Sequence, residues 1–227
     1  MPNPRAIVFD LDGTLIDSSR DIAAAVNHAL ARAGLAALSV GQVKRLVGDG
    51  AGLLVARASG LDEHDARFAP LLADFLDYYT ANPATFSRPC AGALDALESL
   101  GARLSIALAT NKPRQTTDAT LRALHLERYF RVVVAGGDAP APKPSPEPLL
   151  FIAERLGLQA ADLVMVGDGP QDIQAGRAAG ARTVAVLGGM AAQDRVLAAE
   201  PDAVLETLEE LPALIERWSV TSRTDRH

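Results

Sequence analysis

Five short apolar runs, separated by amphipathic stretches, set the first expectation about this chain. They cover residues 6–9, 104–109, 132–135, 163–166 and 183–187, and each has the length and aliphatic content of a strand buried on both faces. Helical periodicity between the later runs predicts helices over 91–100, 115–124, 146–156 and 171–179. Strand and helix in alternation predict an α/β fold, a parallel sheet covered by helices on both faces. One interval breaks the rhythm. Roughly ninety residues separate the first run from the second, where a crossover needs about a dozen. That interval carries helical patterns over 19–33, 40–46, 51–58 and about 65–79, punctuated by Gly34, Gly48-Asp49-Gly50 and Gly60. The expected organisation is a core of residues 1–15 and 86–218, an inserted all-helical cap over 16–85, and a polar tail over 219–227. A helical unit inserted after the first strand would sit over the carboxyl ends of the strands as a lid.

Ligands of open parallel sheets bind beyond those carboxyl ends, so the residues that follow each run carry the chemistry. The first run ends in Asp10 and Asp12, which share a face at strand spacing. Two carboxylates held that close repel unless a cation or a shared proton relieves them. A divalent metal would do so; the alternative is a tight strand exit at Asp12-Gly13. The second run ends in Thr110-Asn111. The third leads through Gly136-Gly137 to a loop holding Lys143 among Pro140, Pro142 and Pro144, and the fourth ends in Gly167-Asp168 with Asp172 four positions on. Carboxylates for a hard cation, a lysine for an anion, and a hydroxyl and an amide as donors make a set suited to phosphoryl groups. Taken singly, each has a plainer reading. Lys143 would be a solvated lysine, Thr110 an ordinary strand residue, and Asp172 a first-turn helix acid behind Pro170.

Composition narrows the setting. A net charge of −6 gives no global attraction for nucleic acid or an anionic membrane surface. The single cysteine, Cys90, cannot form an internal disulfide, which fits a reducing compartment. Asp10 and Asp12 interrupt the one early apolar run, so neither a signal core nor a membrane span is expected. The expected protein is cytoplasmic, a monomer or homodimer, with no nucleic-acid or membrane partner.

Four motifs then occur in order along the chain: Asp10-Leu11-Asp12-Gly13-Thr14, Thr110-Asn111-Lys112-Pro113, Lys143-Pro144-Ser145-Pro146 and Gly167-Asp168-Gly169-Pro170-Gln171-Asp172. This set resembles the haloacid dehalogenase superfamily, whose core is a Rossmann-like parallel sheet. Asp17-Ser18 with Asp21 to Asn27, Val47-Gly48-Asp49-Gly50, and Asp172 through Gly180 are most similar to the phosphoglycolate phosphatases within it. The resemblance implies a Mg²⁺-dependent phosphatase acting on a small phosphorylated metabolite, with 2-phosphoglycolate expected, through an aspartyl-phosphate. It implies Asp10 as nucleophile, Asp12 as general acid and base, and Lys143 with Thr110 and Asn111 at the phosphoryl oxygens. The implied metal ligands are Asp10, Asp168 and the Asp12 carbonyl, with Asp172 acting through water or orienting Lys143.

Several positions sort the chain within that superfamily. Asp12 supplies the acid that ester hydrolysis needs, and Leu11 stands where the ion-pumping ATPase branch carries lysine. Gly169 stands where relatives often have serine or threonine, which removes a hydroxyl beside the metal-binding acid. In the cap, the amides of a helix opening near Gly48-Asp49-Gly50 could receive a substrate carboxylate, with Lys44 or Arg45 adding charge. The alternative there is a glycine-rich turn with Asp49 as N-cap and two solvated basic residues. His28 is expected to be structural or exposed. Other outcomes of the same chemistry are a phosphatase for a sugar phosphate, nucleotide or biosynthetic intermediate, or a sugar phosphomutase. A different class is a binding protein that has kept the fold without the reaction.

Overall fold

The computed structural model describes residues 2–224. Strand β1 (Ala6–Phe9) leads through a tight turn at Gly13, whose φ of +97° suits only glycine without strain, into the two-residue strand β2 (Ile16–Asp17). Four helices follow: α1 (Ser19–Arg32), α2 (Val40–Lys44), α3 (Ala51–Ser59) and α4 (Phe68–Ala81). The chain returns through β3 (Arg88–Pro89), which pairs antiparallel with β2. From there α5 (Ala93–Gly101), β4 (Ser105–Pro113), α6 (Arg114–Ala123), β5 (Val132–Gly136), α7 (Glu147–Leu156), β6 (Leu163–Gly167), α8 (Pro170–Ala179) and β7 (Arg182–Val186) alternate. A short helix α9 (Gln193–Leu197), strand β8 (Ala203–Leu205) and helix α10 (Leu211–Thr224) complete the described chain.

The main sheet is six-stranded and parallel in the order β5-β4-β1-β6-β7-β8. β1 is flanked by β4 and β6, and the chain crosses from one side of β1 to the other between β5 and β6. The carboxyl end of β1 is therefore the topological switch point. Alternation along β1 divides the core. Ile7 and Phe9 pack with Leu97 and Leu100 of α5 and Leu211 and Ile215 of α10, while Ala6 and Val8 pack with Leu149 and Ile152 of α7 and Ala175 of α8. Each fully buried side chain of the Ile or Phe class contributes about 1.5–3 kcal/mol over an exposed position.

The four helices between β2 and β3 hold an apolar cluster of their own, with Ile22, Leu30, Val43, Leu54, Leu71 and Phe75 at its centre. Met190, from the loop after β7, joins that cluster from the sheet side. The exit and return of the chain are tied by Asp21, whose carboxylate accepts from the Ser87 backbone N–H at 2.7 Å, the Ser87 hydroxyl at 2.6 Å and the Phe86 N–H at 3.0 Å.

Three differences from the apolar pattern have local causes. β2 and β3 are too short to show a period, and they are defined only by their pairing. β8 has three residues, of which Val204 is exposed, so it lacks the continuous apolar run of an inner strand. β4 continues past the expected 104–109 through Thr110, Asn111 and Lys112 to Pro113, with a register shift after Ala109. At the other end, α10 takes residues 219–224 of the expected polar tail into the helix, because Leu211, Leu214 and Ile215 anchor its first turns; residues 225–227 lie outside the described residues. Among the described residues no helix is long and apolar enough to cross a membrane.

Candidate active site

The switch point gathers the acids that the strand ends present. Asp10 continues the β1 ladder, its backbone N–H donating to the Val166 carbonyl at 2.9 Å. Asp168 follows β6, and Asp172 lies in the first turn of α8 with its Oδ2 accepting from the Gly169 N–H at 2.9 Å. Oxygens of Asp10, Asp168 and Asp172 come within 4.8 Å of one another, and all three residues are buried. Glycines make room for them. A Cβ at Gly13 or Gly189 would run into Asp168, and one at Gly167 into Asp172. The Thr14 hydroxyl donates to Asp168 Oδ1 at 2.8 Å, and the Met190 N–H donates to Oδ2 at 2.6 Å.

Lys143 is the internal counter-charge. Its ammonium donates to Asp10 Oδ1 at 2.7 Å, Asp172 Oδ1 at 2.6 Å and the Ala109 carbonyl at 2.6 Å. Burial alone would push this lysine down, but Asp10 and Asp172 outweigh it and hold the ammonium above its ordinary range. The Asn111 carboxamide fixes the Lys143 backbone: Oδ1 accepts the Lys143 N–H at 3.0 Å, and Nδ2 donates to the Lys143 carbonyl at 2.8 Å and to the Gly48 carbonyl of the helical insertion at 3.0 Å. Asn111 thus spans three segments of the chain. Thr110 lines the cavity, and its hydroxyl accepts from the Lys112 N–H at 3.2 Å.

Asp12 stands apart from the three-acid cluster. Its Oδ1 accepts from the Ser18 hydroxyl at 2.5 Å, and Lys112 Nζ lies 3.1 and 3.2 Å from its two oxygens. Lys112 also donates to the Tyr79 hydroxyl of α4, and its ammonium sits 3.9 Å from the centre of the Tyr79 ring. Burial lowers the Lys112 pKa against the opposing pull of Asp12, and burial with the nearby Asp12 charge raises that of Tyr79.

These groups edge a cavity between the helical insertion and the strand ends. Its wall from the insertion is mainly apolar, with Ile22, Val47, Leu54 and Phe75, and it also includes Tyr79, Gly48, and Gly50 and Ala51 at the start of α3. Arg45 is exposed at the end of α2, and neither it nor Lys44 lines the cavity. Asp49 does not cap α3; Gly50 does, and Asp49 pairs with Arg57 at 2.6 Å. His28 stacks on Tyr78 at 4.4 Å. Cys90 is half-buried, its thiol pushed up to about 12 mainly by burial, which makes it a poor nucleophile. Gly169 leaves space that the Gln171 side chain occupies, since a Cβ there would run into it, and Gln171 also packs under Gly48.

Sequence reasoning placed no role on Lys112, Thr14, Ser18, Tyr79 or Gln171. For Lys112 a signal was present: it lies two positions beyond Thr110, the spacing that puts two strand residues on one face. Nothing local in the sequence marks Tyr79, 33 positions from Lys112.

Burial holds Asp10 up at about 7 and Asp168 at about 6, against 3.8 for an ordinary aspartate. Lys143 opposes the shift at Asp10, and neighbouring carboxylates add to both. Hard oxygen donors crowded in this way suit a Mg²⁺ ion. A folded-state pKa above the unfolded value means the folded protein binds the proton more tightly. Between about pH 4 and about pH 7 the metal-free folded state therefore carries more protons than the unfolded chain, and stability falls as pH rises through that window. In EDTA, the melting temperature is expected to fall from pH 5 to pH 7, and added Mg²⁺ to raise it more at pH 7 than at pH 5. Equal Mg²⁺ shifts at both pH values would contradict the assignment of the acids to a cation.

Known proteins resemble this chain over most of its length. The family model described as haloacid dehalogenase-like hydrolase matches residues 7–186. A phosphoglycolate phosphatase of Rhodospirillum rubrum is 41% identical over 189 residues, covering 80% of this chain and 78% of its own. One from Salmonella choleraesuis is 36% identical over 238 residues, with 94% of each chain covered. A crystal structure from Haemophilus somnus, described as a predicted phosphoglycolate phosphatase, superposes with a TM-score of 0.87 at 27% identity, covering 94% of this chain and 99% of its own. With its acids at the switch point and its lysine between them, this chain belongs to the haloacid dehalogenase-like hydrolases.

Proposed function

We propose that this chain is a phosphatase of small phosphate monoesters, that 2-phosphoglycolate is its substrate, and that the helical insertion is the cap that closes over it. One observation carries the reading: Asp10 has a charge-compensated neighbourhood on one side and, on the other, a small cavity that also exposes Asp12 and Lys112.

Lys143 holds Asp10 Oδ1, which leaves Oδ2 to attack phosphorus and form an aspartyl-phosphate. Asp12, held by Ser18 and Lys112, is placed to protonate the leaving oxygen and then to take a proton from the water that attacks the phosphoryl-enzyme. Thr110 adds a hydroxyl at the cavity floor, and Lys143 offsets the charge that accumulates beside the phosphoryl group. Asp10, Asp168 and the Asp12 carbonyl are the groups to hold Mg²⁺, which when bound neutralises phosphoryl charge and aligns it with Asp10. Asp172 acts through Lys143, at 2.6 Å.

The cavity wall favours a short leaving group. On the insertion side Ile22, Val47, Leu54 and Phe75 offer no partners to hydroxyls that reach them, and each polar group buried there without one costs about 1–3 kcal/mol. The names borne by the Rhodospirillum and Salmonella relatives point to the same substrate.

Phosphate release from 2-phosphoglycolate, a hexose phosphate, a nucleoside monophosphate and a phosphorylated amino acid, with Mg²⁺ or EDTA, tests the reading. A Mg²⁺-dependent preference for 2-phosphoglycolate of at least about ten-fold in kcat/KM is expected, about 1.4 kcal/mol of transition-state discrimination. Even activity across the panel would discard this substrate, and release that EDTA leaves unchanged would discard the metal.

A further inference from the structure

We infer that Lys112 is the specificity-determining residue of this site: its ammonium, held between Asp12 and Tyr79, receives the carboxylate of the substrate. The inference rests on the phosphatase reading above and extends it to the group that distinguishes a carboxylate-bearing ester from a neutral one.

Charge inventory comes first. Lys112 is the only lysine or arginine lining the cavity among the described residues. Lys143, the other cation of the site, is committed to Asp10, Asp172 and the Ala109 carbonyl and does not line the cavity. Arg45 is exposed elsewhere. An anionic leaving group entering a pocket lined by Asp10, Asp12 and Asp168 meets one cationic side chain, Lys112.

Distance supports the same assignment. A general acid works within about 2.6–3.2 Å of the oxygen it protonates, so the ester oxygen must lie beside the Asp12 carboxyl. Lys112 Nζ is 3.1 and 3.2 Å from the two oxygens of that carboxyl. In 2-phosphoglycolate a single methylene separates the ester oxygen from the carboxylate carbon. A cation bonded to the acid that serves the ester oxygen is thus within reach of the carboxylate one carbon away. Longer leaving groups would carry a terminal charge past it.

The ammonium also has a donor to give. Among the described residues it meets two groups, the Asp12 carboxylate and the Tyr79 hydroxyl, and its three N–H donors can rearrange to serve a ligand beside them. Tyr79 belongs to α4 of the insertion, so the cap itself fixes the position of the cation. Lys112 is only 7% exposed, and in so dry a setting a charge-assisted hydrogen bond discriminates strongly.

Ethyl phosphate has the shape of 2-phosphoglycolate without the carboxylate, and the pair isolates the charge. The ratio of kcat/KM for 2-phosphoglycolate to that for ethyl phosphate is measured for the full chain with Mg²⁺, then for Lys112→Met, Lys112→Gln and Lys112→Arg. The neutral variants are expected to lose at least about ten-fold of this ratio, mainly through a rise in KM for 2-phosphoglycolate, while Lys112→Arg keeps part of it. Using two neutral variants keeps the test open if one of them does not fold, as thermal melting would show. Equal losses on both esters, leaving the ratio unchanged, would overturn the inference and reduce Lys112 to a group that only positions Asp12. A wild-type ratio near one would overturn the choice of substrate instead, and the inference with it.

Discussion

Asp10→Asn is expected to lose at least about 10⁴-fold in kcat on every ester the wild-type protein hydrolyses, because a carboxamide cannot form the acyl phosphate and no neighbour can stand in for it. Asp12 is tied to Lys112 and Ser18, while Asp168 and Asp172 accept from Thr14, Met190, Lys143 and Gly169. The same substitution is expected to leave folding intact. Asparagine keeps the volume, its carbonyl oxygen can still accept from Lys143, and one of three crowded buried acids is neutralised. In EDTA at pH 7 the melting temperature should equal or exceed that of the wild type, while the gain from Mg²⁺ shrinks. Turnover near the wild-type rate would remove Asp10 from the reaction.

Lys143→Met is expected to have the largest effect on stability. It deletes one ammonium and strands two carboxylates, with Asp172 fully buried and Asp10 nearly so. Breaking a buried ion pair by removing one partner costs about 3–5 kcal/mol, which for a chain of this size lowers the melting temperature by about 10 °C. The sign with pH follows from the same groups. Without the ammonium, Asp10 and Asp172 hold protons more tightly in the folded state, so the penalty grows as pH rises and is smallest in acid. Activity should fall by at least about 100-fold, since charge beside the phosphoryl group is no longer offset. A melting temperature within about 2 °C of wild type would show that the buried pairs of Lys143 with Asp10 and Asp172 add nothing net to stability.

Five of the six strands were legible because they are largely buried on both faces, and such strands are continuous apolar runs that need no context to be seen. The strand-end acids were legible for a related reason. A parallel sheet puts the residues that follow each strand at one edge, and Asp10, Thr110, Asp168 and the Lys143 loop meet there. What the sequence hid depends on pairing between distant segments. Asn111 was expected among the groups at the phosphoryl oxygens and lines the cavity, while its carboxamide donates to the Lys143 and Gly48 carbonyls, a role the sequence did not mark. Arg45 has the charge expected of a substrate-binding residue, but the direction in which the end of α2 points is set by packing around Val43. Tyr79 reads as one more apolar position of α4, and only the packing of that helix against α6, beside the end of β4, gives its hydroxyl a lysine. Residue type and strand position sufficed to bring Asp10, Asp168, Asp172 and Lys143 to one site; the contacts of Asn111 and Lys112 follow from how the helical insertion lies on the sheet.

The most direct test of the central claim is rapid quenching of 2-phosphoglycolate labelled in its phosphoryl group, mixed with stoichiometric enzyme and Mg²⁺. The expected result is label on the peptide that carries Asp10, appearing before free phosphate, decaying as phosphate is released, and absent from Asp10→Asn. Free phosphate formed at the same rate by wild type and Asp10→Asn, with no label on either protein, would contradict the account.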